Sequence, residues 1–437
     1  MHLSVYDGAA YNTMAGFTLS YTTPFALAMK ASTTQIGFLA GFPFLAMFST
    51  QFISPTLVEM VGSRKKICVI FSVLQALMWL PLLLIPYIFH SHQVWYLIAF
   101  FTLVTAFDTI GNAPWNSMMA EIVPGNIRGS YFSLRTAIAN LVLLISSFIA
   151  AGILQTYTKN IFLGFAIIFA GAMIFRFFSA YFLSQMIEPP FRAPATKQPS
   201  IFKLGTTLGS TNVGRFILYN CLIQFTSNFA SPFFSVYMIR DLKFSYLTYI
   251  LITATGTLAT LAFMPFWGKR IDRFGSIKVL QLASIVMPIG PLMWLFSHNV
   301  LFLCGAQVLG GFSWGGYNLV MGIFLYYATP VENRTRYFAV FNALMFGGAA
   351  LGSMLGGIIA PIIPAVMKNS LLTIFLISGL ARIAVMFIFL PHITEVREVE
   401  KISIKEMAFS DFKASNIKRI SNNTVQWINK LRNNRPQ

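Results

Sequence analysis

The sequence predicts an all-α membrane protein of twelve transmembrane helices, arranged as two pseudo-symmetric six-helix bundles. Three observations predict it: a composition too apolar for water, apolar stretches of spanning length at even spacing, and an internal repeat relating the two halves.

The 437 residues are 56% hydrophobic and only 10% charged, with a mean hydropathy of +0.68. Soluble domains carry about 25% charged residues, and a water-soluble core could not hide this much apolar surface. A helix needs about 20 apolar residues to cross the hydrocarbon layer. Stretches of that kind fall near 8–29, 35–54, 67–89, 94–120, 130–157, 161–186, 213–238, 246–267, 277–296, 300–328, 337–363 and 371–390. A transmembrane β-barrel would instead alternate apolar and polar residues in short segments, and no stretch reads that way.

The repeat is direct. Pro124-x-x-x-Arg128-x-x-Tyr131-Phe132 returns as Pro330-x-x-x-Arg334-x-x-Tyr337-Phe338, an offset of 206 from position 124 to position 330. The same offset carries Asn112 onto Asn318 and Arg176 onto Arg382. Two related halves embedded in lipid point to a transporter. The expected organisation is a first bundle over 1–187, a connector over 188–212, a second bundle over 213–391 and a basic tail over 392–437. The connector carries Pro189, Pro190, Pro194, Pro199, Gly205 and Gly209 among basic and polar residues.

A net charge of +18 could suggest nucleic acid, but its distribution is topological. Basic residues crowd alternate loops: Arg64, Lys65 and Lys66; Arg128 and Arg135; Arg192, Lys197 and Lys203; Lys269, Arg270, Arg273 and Lys278; Arg334 and Arg336. The intervening loops hold only Lys30, Lys159, Arg240, Lys243 and Lys368. The positive-inside rule then places both termini in the cytoplasm, and a bacterial inner membrane is the expected location. In the tail, Ile417, Ile420, Trp427, Ile428 and Leu431 recur at roughly helical spacing among lysines and arginines. They suit either a helix lying on an anionic leaflet or a solvated tail.

Cys68, Cys221 and Cys304 lie in or beside apolar spans, so no disulfide is expected. The five histidines lack metal-ligand spacing. No nucleophilic triad, phosphate loop or ATPase domain is visible, so the chain is expected to be neither an enzyme nor a carrier of a metal or cofactor.

Gly268-Lys269-Arg270-Ile271-Asp272-Arg273-Phe274-Gly275 resembles the Gly-x-x-x-Asp-Arg-x-Gly loop signature of the major facilitator superfamily. The corresponding first-half loop, Pro55 to Gly62, is a degraded copy with Glu59 in place of the aspartate. Asp7-Gly8, Trp115-Asn116 and the Pro124 to Gly129 block bring the chain closest to poorly characterised bacterial members of that superfamily. The resemblance implies the fold and alternating access, but no substrate. It gives Glu59, Gly62, Arg64, Arg128, Gly268, Asp272, Arg273, Gly275 and Arg334 a gating role. The physical reading runs parallel: loop acids amid bases can pair in one state and part in the other, and Gly62 and Gly275 permit tight turns.

Polar residues inside spans are expensive, which singles out Asp108. An ionised carboxylate mid-membrane costs at least ~2.5 kcal/mol, so Asp108 is expected to face a cavity. Asn112 and Asn116 follow at i+4 and i+8 on one helical face with Trp115 beside them, and Pro114 bends the helix there. In the second half, Trp314, Tyr317 and Asn318 share a face, with Trp314 equivalent to Asp108. Gln224 and Asn228 form an i, i+4 pair before Ser231-Pro232, which matches Thr23-Pro24. The resemblance implies that the first, fourth, seventh and tenth spans line the cavity, and it adds Tyr11, Asn12 and Tyr21. It also places the sixth and twelfth spans at the periphery, so Arg176 and Arg382 are expected to serve structure.

The expected function is secondary active transport of a small solute by a monomer, proton-coupled through Asp108. A lipid or glycolipid flippase of the same fold is one alternative; a non-transporting membrane receptor or assembly protein is another.

Overall fold

Apolar runs of this length can satisfy their backbone groups in lipid only as helices or closed barrels. The computed structural model, which describes residues 1–124, 127–189, 211–330, 334–365, 369–397, 399 and 406–407, folds them as helices. Most of the expected 188–212 connector and of the 392–437 tail, including Ile417 to Leu431, lies outside the described residues.

The first span is divided into His2–Thr18 and Thr22–Ala28. There follow Thr33–Val61, Arg64–Ile88, Gln93–Ile122, Arg128–Thr156 and Ile161–Ser184 as the second to sixth spans. The seventh is divided again, Asn212–Asn228 and Ser231–Val236, and the eighth is Tyr246–Phe274. The ninth comprises Ser276–Val286 and Ile289–Met293. Val300–Ala328, Arg334–Ile359 and Ser370–Phe389 are the tenth to twelfth. Among the described residues ten stretches are long and apolar enough to cross a membrane. The first and seventh spans fall outside that count because each is split at the same place, just before Thr23-Pro24 and Ser231-Pro232. Proline lacks the N–H that a continuous helix needs but is well tolerated in a first turn.

Three boundaries differ from the sequence reading. The second helix runs to Val61, so Pro55 to Val61 form its last turns rather than a loop. The first helix begins at His2, so Asp7 lies within it and is buried. The eighth continues to Phe274, so Gly268 to Phe274 form its last turns rather than a loop. Gly62 and Gly275 then end the second and eighth helices at positive φ, +67° and +88°.

The packing pattern repeats between halves. The first span packs on the fifth and sixth as the seventh does on the eleventh and twelfth; the second meets the fourth as the eighth meets the tenth. Across the halves, the second pairs with the eleventh and the eighth with the fifth. This is the pairing of a pseudo-two-fold bundle. Without a hydrophobic drive between helices in lipid, close contact depends on small residues. Gly348, Gly352 and Gly356, four residues apart, lay the eleventh span against the carbonyls of Cys221, Phe225 and Phe229 on the seventh. Large apolar side chains such as Ile145, Phe178, Leu251, Leu380 and Phe387 are left outward, where acyl chains rather than water would meet them.

Met1 lies beside Ile187 and Pro189, and Asn212 beside Thr394, at one end of the bundle, the terminal end. The halves are joined toward the opposite, far end. There the Tyr249 hydroxyl donates to the Ser20 carbonyl at 2.7 Å and Arg240 Nη1 to Thr33 Oγ1 at 3.3 Å. Gly37 also lies against Gly357.

Two acids missed by the sequence reading anchor the terminal end. Glu188, just past the sixth span, accepts from Ser63 Oγ at 2.6 Å and from the backbone N–H groups of Arg64 and Lys65 at 2.6 and 3.2 Å. Glu395, just past the twelfth, accepts from the Ile277 N–H at 3.0 Å. Each carboxylate caps the N-terminus of the third or ninth span, where orphan donors and the helix dipole favour an anion. Their signal in the sequence was an acid at matching places in otherwise basic segments. Glu188→Ala should cost about 0.5–2 kcal/mol, the usual range for a lost cap. The detergent-solubilised protein should then melt a few degrees lower, and an unchanged melting temperature would show that the cap carries no weight.

Candidate functional site

In the first half, the first, third, fourth, fifth and sixth spans converge on a cavity of about 190 Å³ lined by Asp7, Tyr11, Asn12, Cys68, Ser72, Asp108, Gly111, Asn112, Trp115, Arg135, Arg176 and Leu183. Its polar groups form one chain. Arg176 Nη2 lies 3.7 Å from Asp108 Oδ1, and the Tyr11 hydroxyl donates to Asp108 Oδ2 at 3.1 Å. Arg176 Nε donates to Gln75 Oε1 at 2.6 Å and Nη1 to Ser179 Oγ at 2.8 Å. The Ser179 hydroxyl in turn donates a hydrogen bond to Asp7 Oδ1 at 2.7 Å. Asp7 Oδ2 in turn lies 3.7 Å from Arg135 Nη2, and the Arg135 guanidinium sits 4.3 Å over the Trp115 ring. Gly8 makes room for that arginine: a Cβ there would meet Arg135 Nη2 at 2.9 Å.

Two carboxylates and two guanidinium groups thus balance in charge, which is what lets four ionisable groups sit among transmembrane helices. Asp108 is the most open of them, its side chain 22% exposed against 7% for Arg176, 6% for Asp7 and 17% for Arg135. Arg176, expected among the supporting helices, instead lines this cavity. Sequence spacing could not reveal this, because the network joins residues 101 and 172 positions apart.

The second half holds a larger cavity of about 600 Å³, lined by Gln224, Asn228, Trp314, Trp294, Gln307 and Arg382 among others. Asn228 Nδ2 donates to Gln224 Oε1 at 3.1 Å, as the i, i+4 spacing predicts. Tyr317 turns away into the core, fully buried with its ring 5.1 Å from that of Trp314. Asn116 and Asn318 are exposed on their helices and line neither cavity. The predicted lining therefore divides: Asp108, Asn112 and Trp115 on one side, Gln224, Asn228 and Trp314 on the other.

The residues read as gates cluster at the terminal end. Arg64, buried, forms a 2.6 Å ion pair with Glu121 and donates to Ser117 and to the Pro189 carbonyl, both at 3.1 Å. Arg128 Nη2 donates to the Ala120 carbonyl at 2.6 Å, tying off the fourth span. Arg334 stacks 3.9 Å over Tyr326 at the equivalent place on the tenth. Glu59, Asp272 and Arg273 are exposed, with the Arg273 guanidinium 4.8 Å from the Phe274 ring centre, and a Cβ on Gly268 would meet open space.

The sequence profile of the Major Facilitator Superfamily matches residues 8–219 and 216–432, nearly the whole chain. The chain belongs to the Major Facilitator Superfamily. Among solved structures, this superfamily member resembles the nucleoside transporter NupG, with a TM-score of 0.70 at 12% identity over 90% of this chain and 99% of that one. It also resembles a D-xylose-proton symporter, with a TM-score of 0.65 at 14% identity over 91% and 98%. At such identities the likeness is one of fold. Curated relatives include the Quinolone resistance protein NorA of Staphylococcus aureus, 25% identical over 34% of this chain and 38% of that protein. The vacuolar membrane amino acid uptake transporter fnx2 of Schizosaccharomyces pombe is 31% identical over 27% of this chain and 20% of that protein. The matches span about a fifth to two fifths of these relatives' lengths. Family and fold are those of transporters, and the chain is an integral membrane protein.

Proposed function

We propose that this chain is a proton-coupled secondary active transporter of a small solute, acting by alternating access as a monomer, with both termini in the cytoplasm of a bacterial inner membrane. The observation that carries the reading is the Asp108–Arg176 pair, held by Tyr11 and Gln75 in a cavity shared by five helices. Protonation of Asp108 would cancel its attraction for Arg176 while leaving Arg176 its bonds to Gln75 and Ser179. The arginine keeps its place but the fourth span loses its tie to the sixth, a change small enough to be reversible and large enough to bias a rocking motion. The joined far end and the basic terminal end support a resting state that opens to the cytoplasm, with Arg64, Arg128, Asp272, Arg273 and Arg334 as the latch that forms when it closes. The D-xylose-proton symporter of similar fold is, by its name, a carrier that couples a sugar to protons; the same energy source is proposed here.

The test is a thermal-shift screen of soluble solutes at several pH values, followed by uptake of the stabilising solutes into proteoliposomes with an imposed pH gradient. Solute accumulation that collapses with the gradient is expected. Exchange of labelled lipid with no solute uptake would replace this reading with a flippase, and ligand binding without flux would replace it with a receptor.

A further inference from the structure

The two arginines at equivalent positions in the sixth and twelfth spans have opposite surroundings. Arg176 is neutralised by Asp108 and bridged through Ser179 to Asp7. Arg382 is equally buried, 5% exposed against 6%, yet among the described residues no carboxylate lies within ion-pair distance of it. The repeat explains why. The offset of 206 puts Trp314 where Asp108 stands and Val385 where Ser179 stands. The offset of 208 that aligns Thr23-Pro24 with Ser231-Pro232, and Tyr11-Asn12 with Tyr219-Asn220, puts Arg215 in place of Asp7. The second half has kept the cation and lost both of its anions.

Among the described residues, one hydrogen bond holds Arg382 in place. Its Nη1 donates to the Met287 carbonyl at 3.3 Å. That carbonyl is free because its helical partner would be residue 291, a proline without an N–H. The bond orients the guanidinium, but among the described residues its charge is uncompensated and its Nε has no acceptor. Ser227, on the seventh span, lines the same cavity with a buried hydroxyl that also has no partner among the described residues. Around them the cavity wall offers the amides of Gln224, Asn228 and Gln307, several hydroxyls, the indoles of Trp294 and Trp314, and no acidic side chain. An unpaired buried cation is costly, and the group that would satisfy it is an anion with acceptor oxygens.

We propose that the second-half cavity binds the anionic group of the transported solute, a carboxylate or a phosphate, on Arg382 and Ser227, with an aromatic or other flat apolar body against Trp294 and Trp314. This deepens the transporter reading by naming a solute class, but the site itself is an equilibrium binding property. The solute's charge would be met in the cavity whose lining holds no acid, while the proton is carried in the cavity that holds Asp7 and Asp108.

The test uses the full-length protein in detergent and tryptophan fluorescence quenched by three nitroaromatic probes: p-nitrobenzoate, p-nitrophenyl phosphate and the neutral p-nitrobenzyl alcohol. Saturable quenching by at least one anion, at a concentration tenfold or more below the alcohol, is expected for the wild type. Arg382→Gln should weaken that anion at least tenfold and leave the alcohol unchanged, and Arg382→Lys should recover part of the loss. The anion that binds tighter assigns carboxylate or phosphate. Equal binding of anions and alcohol, or anion binding untouched by Arg382→Gln, would overturn the proposal. If Arg382→Gln does not elute as a monodisperse species, Ser227→Ala carries the same comparison, because it leaves the bond between Arg382 and Met287 in place. Anion binding without solute flux would leave this site standing and remove the transporter reading. Proton-driven flux of neutral solutes only would do the reverse.

Discussion

Replacing Asp108 with asparagine is expected to abolish uptake driven by a pH gradient while leaving solute exchange without a gradient intact. Asparagine keeps an acceptor for the Tyr11 hydroxyl, 3.1 Å away in the wild type, but removes the charge facing Arg176. Removing one partner of a buried pair costs about 3–5 kcal/mol, mostly because the other charge is stranded. Here the loss should be smaller, since the Asp108 side chain is 22% exposed and Arg176 retains Gln75 and Ser179. The variant should therefore fold with a lowered melting temperature. Neutralising both, Asp108→Asn with Arg176→Gln, should recover most of that stability without restoring coupling. The measurement is uptake at matched and opposed pH on the two sides of a proteoliposome. A variant whose uptake still follows the gradient would take Asp108 out of the coupling step.

The second large effect is expected at Gly37. A side chain there would place its Cβ 2.6 Å from both the Cα of Gly357 and the Ser353 carbonyl, backbone atoms that cannot step aside. The contact joins the second span of one half to the eleventh of the other, so Gly37→Val should push apart the far end of the bundle rather than disturb either half. Overpacking of this kind costs about 1–3 kcal/mol, and if that cost falls on one conformation alone the balance moves about 5- to 150-fold toward the other. Transport should fall steeply while the melting temperature changes little. The readout is an engineered cysteine at Asn228, in a background with Cys68, Cys221 and Cys304 replaced by serine. Its labelling by an impermeant maleimide added at the far face should rise. Unchanged labelling, with transport preserved, would mean that this glycine pair merely fills space.

How much could be read from the chain alone differs sharply between fold and site. Twelve spans and their pairing into halves follow from local facts, apolar length and a repeated motif, whereas the breaks before Thr23-Pro24 and Ser231-Pro232 fall within stretches that read as continuous and came only from the structure. Asp108 was legible for the same reason, because an acid in an apolar helix is costly wherever that helix lies. Asp7 was harder, since it sits close to a chain end and reads as a helix preface until the first span is seen to begin at His2. Glu188 and Glu395 were passed over because a capping acid needs a helix start more than a hundred residues away in sequence.

By itself, then, the sequence determined the lipid-embedded helical architecture, the duplication and the one carboxylate that must face a cavity, since hydropathy, proline chemistry and periodicity act over a few residues. Only the tertiary structure decided that Arg176 has a neutralising carboxylate while Arg382 has none among the described residues, because a charge acquires its partners across helices. Two arginines in equivalent sequence positions are made different solely by what other spans bring within a few ångströms of them.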